Sequence, residues 1–218
     1  MDKYIENRRE FLKQASIAAA FPYLLGCSGD GLAQRSDTSV LALIRRNAIS
    51  APDCEWCGAR DVPNTVTSKT TIAGPTDPVE AIVIAGTVYR ADGKTPASDT
   101  LIYFYHTDVD GIYGRRGEHI HGRYRGWALT DTNGRYELRT IKPAPYPNST
   151  NASHIHMTVT GTNFKEDWID SVLFEGDRLI SPRQRIVEKG GFNPILSMKT
   201  GPGRLLFGTR DIQLPIGQ

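Results

Sequence analysis

The stretch Ser153 to Val159, SHIHMTV, decides how the rest of the chain is read. Apolar and polar residues alternate strictly, the period of a β-strand. Ile155, Met157 and Val159 share one face, suited to a core. His154, His156, Thr158 and Thr160 share the other. Two imidazoles at i and i+2 sit close enough to hold one metal ion. The same pattern also describes a half-exposed polar face with no ligand role, and the stretch by itself leaves both readings open.

Working outward, similar strand signals recur between turn signals. EAIVIAGTVYR (from Glu80) is a β-branched run followed by the turn ADGKT. TLIYFYH, Thr100 to His106, is the next strand. GWALTDTNGRYELRT reads as a hairpin: Trp127 to Thr130, a turn over Asp131 to Gly134 that contains the turn dipeptide Asn133-Gly134, then Arg135 to Thr140. WIDSVLF, Trp168 to Phe174, and RLLFGTRDIQL, Arg204 to Leu214, follow. A short helix is expected over Val40 to Asn47 and another around Ser181 to Lys189. Several short strands with few, short helices predict an all-β protein, an antiparallel β-sandwich. Ala51 to Pro78, rich in Pro, Thr, Gly and Asp, reads as an irregular arm.

The chain has 218 residues and a formal net charge of +2, which gives no sign of a nucleic-acid partner. Its first residues, NRREFLKQASIAAAFPYLLGC, resemble a twin-arginine export signal: Arg8 and Arg9 are adjacent, and an apolar run from Ala15 to Leu25 follows. That run is too short to span a bilayer as a helix. LLGC, Leu24 to Cys27, resembles a lipobox, which makes Cys27 a candidate lipidation site and a lipid anchor the expected membrane contact. The expected organisation is a signal over 1–26, a tether and arm over 27–75, and the sandwich over 76–218. The expected location is the periplasm or cell envelope. In such an oxidising compartment Cys54 and Cys57, in CEWC, are expected to form a local disulfide. A zinc half-site would need a second cysteine pair, and a thioredoxin-like role would need a βαβ context.

Candidate chemistry centres on His154 and His156. EHIHG, with His119 and His121, is a second paired-histidine stretch, set in a loop rich in glycine and arginine. Tyr113 and Tyr146 stand in turn contexts, DGIYGRR and KPAPYPN, where side chains can be aimed into a site. A phenol of pKa about 10 becomes a metal ligand only when a strongly charged ion removes its proton. Fe(III) is the ion that suits two phenolates and two imidazoles.

Taken in order, YFYHTDVDGIYG, RGWALTDTNGRYELRTIKPAPYP, HIH and FEGD resemble the intradiol ring-cleavage dioxygenases, the family of protocatechuate and catechol dioxygenases. The resemblance runs from about Val79 to Leu214 and looks closest to an exported, single-chain branch that also carries an upstream Cys-x-x-Cys. It implies an Fe(III) enzyme with Tyr113, Tyr146, His154 and His156 as metal ligands. It also implies an aromatic diol and O2 as substrates and a cis,cis-muconate-type diacid as product, with Tyr146 leaving the metal to act as a base. The family carries an arginine three residues before the His-x-His pair, where this chain has Asn151. Arg125 and Arg123 are the candidate substitutes, Arg125 as a catalytic group. Arg123, Trp127 and His119 are candidates for substrate contact, with Trp127 and the Tyr103–Tyr105 strand as aromatic walls. Two rival readings remain at this stage. One is a transthyretin-like exported binding module without catalysis. The other is a zinc or copper protein that uses His119, His121, His154 and His156, which requires the two histidine pairs to converge.

Overall fold

Alternation in the sequence becomes two β-sheets packed face to face. A computed structural model describes residues 38–50, 54–73, 77, 81–114, 118–201 and 205–216, all within the unit Gln34–Gln218. The elements are helix α1 (Thr38–Asn47) and strands β1 (Lys69–Thr71), β2 (Ala81–Tyr89), β3 (Leu101–Tyr105), β4 (Arg125–Leu129), β5 (Arg135–Ile141), β6 (His154–Thr160), β7 (Asp167–Phe174), β8 (Ile195–Leu196), β9 (Lys199–Thr200), β10 (Leu206–Thr209) and β11 (Ile212–Gln213). The first sheet has the order β1-β5-β2-β10-β9, with β11 also on β2, and the second β4-β3-β6-β7-β8. No helix among the described residues is long and apolar enough to cross a membrane.

Both sheets are mixed, which corrects the antiparallel expectation. β1 on β5, β10 and β11 on β2, and β8 on β7 are parallel pairs. Each of these parallel additions is a strand of two to four residues, arriving through a long connection rather than a tight turn. The expected hairpin is also corrected. The turn forms as read, with Asp131 Oδ1 accepting from the Asn133 and Arg135 N–H groups at 2.8 and 2.9 Å and Gly134 at φ +69°. Its two strands separate, however: β4 pairs with β3 in one sheet and β5 with β2 in the other. Local turn chemistry fixes a reversal, but the partner of each strand is a tertiary choice. Around Ser181 to Lys189 only a three-residue 3-10 turn forms, Arg183–Arg185.

The main core lies between the sheets and is built from alternate residues: Ile82 and Ile84 of β2, Leu138 of β5, Ile102 and Phe104 of β3, Ile155, Met157 and Val159 of β6. Burying each such side chain contributes about 1.5–3 kcal/mol. All five residues of β3 are buried, so its outer face is covered as well. The cover is the stretch read as tether and arm. Leu41 and Ile44 of α1 and Val62 and Val66 beyond it pack on Leu101 and Leu129. Glu166, buried, clamps this cover: its Oε1 accepts from the Gly58 and Ala59 N–H groups at 2.8 and 2.9 Å and from Thr158 Oγ1 at 3.0 Å. Cys54 and Cys57 are disulfide-bonded at the start of the arm, as expected from their spacing. Cys27 and the signal region lie outside the described residues.

Candidate metal centre

The outer face of the second sheet carries the candidate site. β3 and β6 run side by side with Tyr105 opposite His156, so alternation places Tyr103, Tyr105, His154 and His156 on this face. β6 begins where Asp177, in FEGD, accepts the Ser153 N–H at 2.9 Å and Ser153 Oγ donates to the Pro143 carbonyl at 2.6 Å. The His154 ring is thereby held at the strand entrance.

The two tyrosines arrive on loops tied to each other. Asp108 Oδ1 accepts from the Asp110 and Ile112 N–H groups at 2.9 and 3.1 Å, closing the turn before Tyr113. The Ala144 N–H donates to the Asp108 carbonyl at 3.0 Å and Thr107 Oγ1 donates to the Ala144 carbonyl at 2.7 Å, which docks this turn on the segment leading to Tyr146. Two glycines permit the close approach. A Cβ on Gly111, at φ +79°, would meet the Pro145 carbonyl oxygen at 2.1 Å, and one on Gly122, at φ +63°, would meet the Tyr113 carbonyl oxygen at 1.3 Å.

Four donor atoms meet as a result. Tyr113 Oη lies 2.6 Å from Tyr146 Oη; Tyr146 Oη lies 3.2 Å from both His154 Nε2 and His156 Nε2; the two Nε2 atoms are 3.0 Å apart. The His154 tautomer follows from its surroundings. Its Nδ1 faces the Ala152 carbonyl at 2.6 Å, so Nδ1 carries the proton and Nε2 presents a lone pair to the centre. His156 Nδ1 faces Ser171 Oγ at 3.3 Å. Burial holds all four groups neutral. It pushes the Tyr113 phenol up, further aided by the hydrogen bond with Tyr146, and raises Tyr146 as well. It lowers His154 and takes His156 down to about 3. Neutral imidazoles are the form that binds metal. Four lone-pair atoms crowded on one point, two of them imidazole nitrogens 3.0 Å apart, fit a single N/O-liganded cation. Among the described residues no group of three or more His, Cys, Asp or Glu could hold a metal ion, and the groups that stand beside the two imidazoles here are the phenols.

The convergence required by the four-histidine reading fails. Tyr105 is sandwiched between the two histidine pairs, its ring 3.8 Å from that of His121 and 4.5 Å from that of His156. Both His121 nitrogens are engaged as well. Nε2 donates to the Glu55 carbonyl at 2.7 Å, and Nδ1 accepts from the Tyr103 hydroxyl at 2.6 Å. His119 Nδ1 accepts the His121 N–H at 3.1 Å, and its Nε2 stands 4.0 Å from Asp61.

A cavity of about 610 Å³ opens onto Tyr113, Tyr146 and His156; its walls include Trp56, Tyr105, Ile120, His121 and Trp168. Of the nominated residues, Arg123, Trp127 and His119 are not on its wall, whereas Tyr105, expected as an aromatic wall, and His121, of the loop pair, are. Trp127 stacks on Tyr103 and donates Nε1–H to the Gly58 carbonyl at 2.7 Å, so it fastens the arm. Arg123 turns outward to Asp77 and lies over the Tyr124 ring. His119 stays beside Asp61. Arg125, on β4, donates Nη1–H to the Gly122 carbonyl at 2.6 Å and is separated from β6 by β3. Tyr105 alone of the expected aromatic strand faces the cavity, because Tyr103 is covered by the arm. The sequence reading missed Trp56 and Trp168. Trp56 sits between the two disulfide cysteines of CEWC, and Trp168 lies opposite Thr158 on the outer face of the second sheet; neither position carries a motif signal.

Comparison with known proteins bears on the family and the fold. The Dioxygenase family model matches residues 58–196. The protocatechuate 3,4-dioxygenase beta chain of Burkholderia cepacia is 30% identical, over 47% of this chain and 48% of its own. The chlorocatechol 1,2-dioxygenase of Pseudomonas sp. strain P51 is 30% identical, over 44% of this chain and 48% of its own. The chain thus spans about half the length of these curated relatives. Among solved structures, the dioxygenase domain of a dioxygenase carbohydrate-binding protein fusion from Streptomyces sp. SirexAA-E superposes with a TM-score of 0.53 at 23% identity, covering 68% of this chain and 88% of that one. Catechol 1,2-dioxygenase from Acinetobacter sp. ADP1 gives 0.55 at 20% identity, covering 69% and 57%; at these identities the likeness concerns the fold. Family model, relatives and architecture agree, and the chain belongs to the intradiol ring-cleavage dioxygenase family.

Proposed function

We propose that this chain binds one ferric ion through Tyr113 Oη, Tyr146 Oη, His154 Nε2 and His156 Nε2, and cleaves a catechol between its two hydroxyl-bearing carbons. The balanced reaction adds both atoms of O2 to the diol and gives a cis,cis-muconate-type diacid. The observation that carries this reading is the meeting of those four atoms at 2.6–3.2 Å. A binding module without chemistry gives no reason to bury two phenols and two imidazoles against one another.

The ion would supply Lewis acidity and a template for the diol. The chain supplies the rest. His154 is fixed in the ligating tautomer by the Ala152 carbonyl. Tyr146 Oη is the one phenol oxygen in contact with both imidazoles; having lost its own proton to solvent when iron binds, it would be the atom placed to take one from the diol. Trp56, Tyr105 and Ile120 hold the aromatic ring and exclude water. Arg125 braces the Gly122 loop beneath Tyr113 and acts on the site through that loop. Export by the twin-arginine route and lipidation at Cys27 belong to the same proposal. The Cys54–Cys57 disulfide supports an oxidising compartment.

The test is the colour and turnover of purified protein loaded with iron. Tyrosinate bound to Fe(III) gives a wine-red charge-transfer band, and catechol should consume O2 in a one-to-one ratio. Stoichiometric iron in a colourless protein would sink the proposal.

A further inference from the structure

The four donor atoms stand at the junction of two cavities. The larger, about 610 Å³, touches Tyr113, Tyr146 and His156. A second, about 320 Å³, touches His154, His156 and Asn151 on the other side. His156, Trp168, Ile169 and Ser171 line both. A cavity of about 150 Å³ houses a benzene ring, so one catechol leaves most of this space empty.

The two lobes differ in chemistry. The larger has the aromatic and aliphatic walls already described. The smaller adds hydrogen-bonding groups: Asn151, Asp170, Arg183, Gln184 and Glu188. Its charges are already matched, since Arg183 Nε and Nη2 both lie 3.4 Å from Glu188 Oε1, and Asp170 Oδ2 accepts the Glu188 and Lys189 N–H groups at 2.8 and 3.0 Å. Trp168, 38% exposed, stands where one lobe passes into the other and offers a stacking surface to both.

Resting on the ring-cleavage reading above, we propose that this chain selects catechols extended by a second, uncharged, hydroxylated ring over catechol itself. The diol ring sits at the four donor atoms, the linker passes Trp168, and the second ring lies in the smaller lobe, where its hydroxyls meet Asn151 and Gln184.

Two measurements test this. Calorimetric titration of the metal-free protein compares catechol with 3,4,3′,5′-tetrahydroxystilbene, and kcat/KM of the iron-loaded protein is measured for both. The stilbene should bind at least about tenfold tighter and show a kcat/KM at least about tenfold higher. Gln184→Phe, which fills the smaller lobe, should cut the stilbene-to-catechol ratio by about tenfold in both measurements. Equal or weaker binding of the stilbene, or a ratio that Gln184→Phe does not move, overturns the inference while catechol cleavage stands. Tight stilbene binding that Gln184→Phe abolishes, in a protein that cleaves neither compound, keeps the two-lobed site and removes the ring-cleavage reading instead.

Discussion

Along β6, Ile155, Met157 and Val159 enter the core between the sheets, while His154, His156, Thr158 and Thr160 face the covered outer side. Both sets are buried or half-buried, yet they are held in place differently. The inner set needs volume and apolarity, and other apolar residues of similar size would serve. His154, His156 and Thr158 each need a particular partner, because a buried polar group without one costs about 1–3 kcal/mol; Thr160 Oγ1, buried without a partner among the described residues, bears that cost. His154 has the Ala152 carbonyl, His156 has Ser171, and Thr158 has Glu166. One strand therefore carries a tolerant face and an exacting one, and substitutions on it should separate stability from activity.

The largest contrast is expected at neighbouring positions. His156→Ala should lower ring cleavage by at least about a thousandfold, roughly 4 kcal/mol of barrier, and release iron, measured by O2 uptake and metal content. Urea unfolding of the metal-free variant should move by no more than about 1–2 kcal/mol, since His156 contributes its stacking on Tyr105 and its contact with Ser171 but lies outside the core between the sheets. Met157→Ala should do the reverse, costing about 2–5 kcal/mol in urea unfolding while iron content per folded molecule is retained. If both variants lose stability equally, the two faces are not distinct.

A third expectation concerns pH. His106, directly after β3, is buried with Nδ1–H donating to the Thr107 carbonyl and Nε2 accepting from Thr140 Oγ1, each at 2.7 Å. Burial lowers its pKa from 6.5 to about 4. The folded state therefore binds the proton less readily than the unfolded chain. The stabilisation is fully present above about pH 6.5 and is lost as pH falls towards 4, up to roughly 3 kcal/mol. His106→Gln should flatten the acid limb of the stability–pH curve by about one proton, while a parallel curve would refute the assignment.

The smallest effect is expected at the clamp between the faces. Glu166→Gln keeps the Oε1 contacts to Gly58, Ala59 and Thr158 but puts an N–H₂ against the Ile49 N–H, which the carboxylate now receives at 3.3 Å. The expected loss is about 1–3 kcal/mol, read by urea unfolding, with faster proteolysis of the arm around residues 54–66 and little change in iron content.

Much of this molecule is legible in the linear chain. Period-2 alternation located the strands that build the core, and the turn residues Asp131 and Gly134 marked a reversal where one exists. The ordered tyrosine and histidine motifs identified the four groups that meet. The strands and the turn were readable because they rest on the period of one strand or on contacts between residues close in sequence; the four groups were readable only through the resemblance of their ordered motifs to a family.

Strand partnership was not readable. The reversal after β4 sends β5 into the opposite sheet; the short edge strands β1 and β8 leave no periodic trace, and the stretch read as one strand over Arg204 to Leu214 divides into β10 and β11, both parallel to β2. The fate of long polar and aromatic side chains was hidden for the same reason. Trp127 and Arg123 look like substrate contacts in a list of residues, but the arm and Asp77 claim them, whereas Trp56 and Trp168 reach the cavity. Alternation specifies which face of a strand a side chain takes. What covers that face is decided only when distant segments dock, since each buried polar group must then find a partner in whatever arrives.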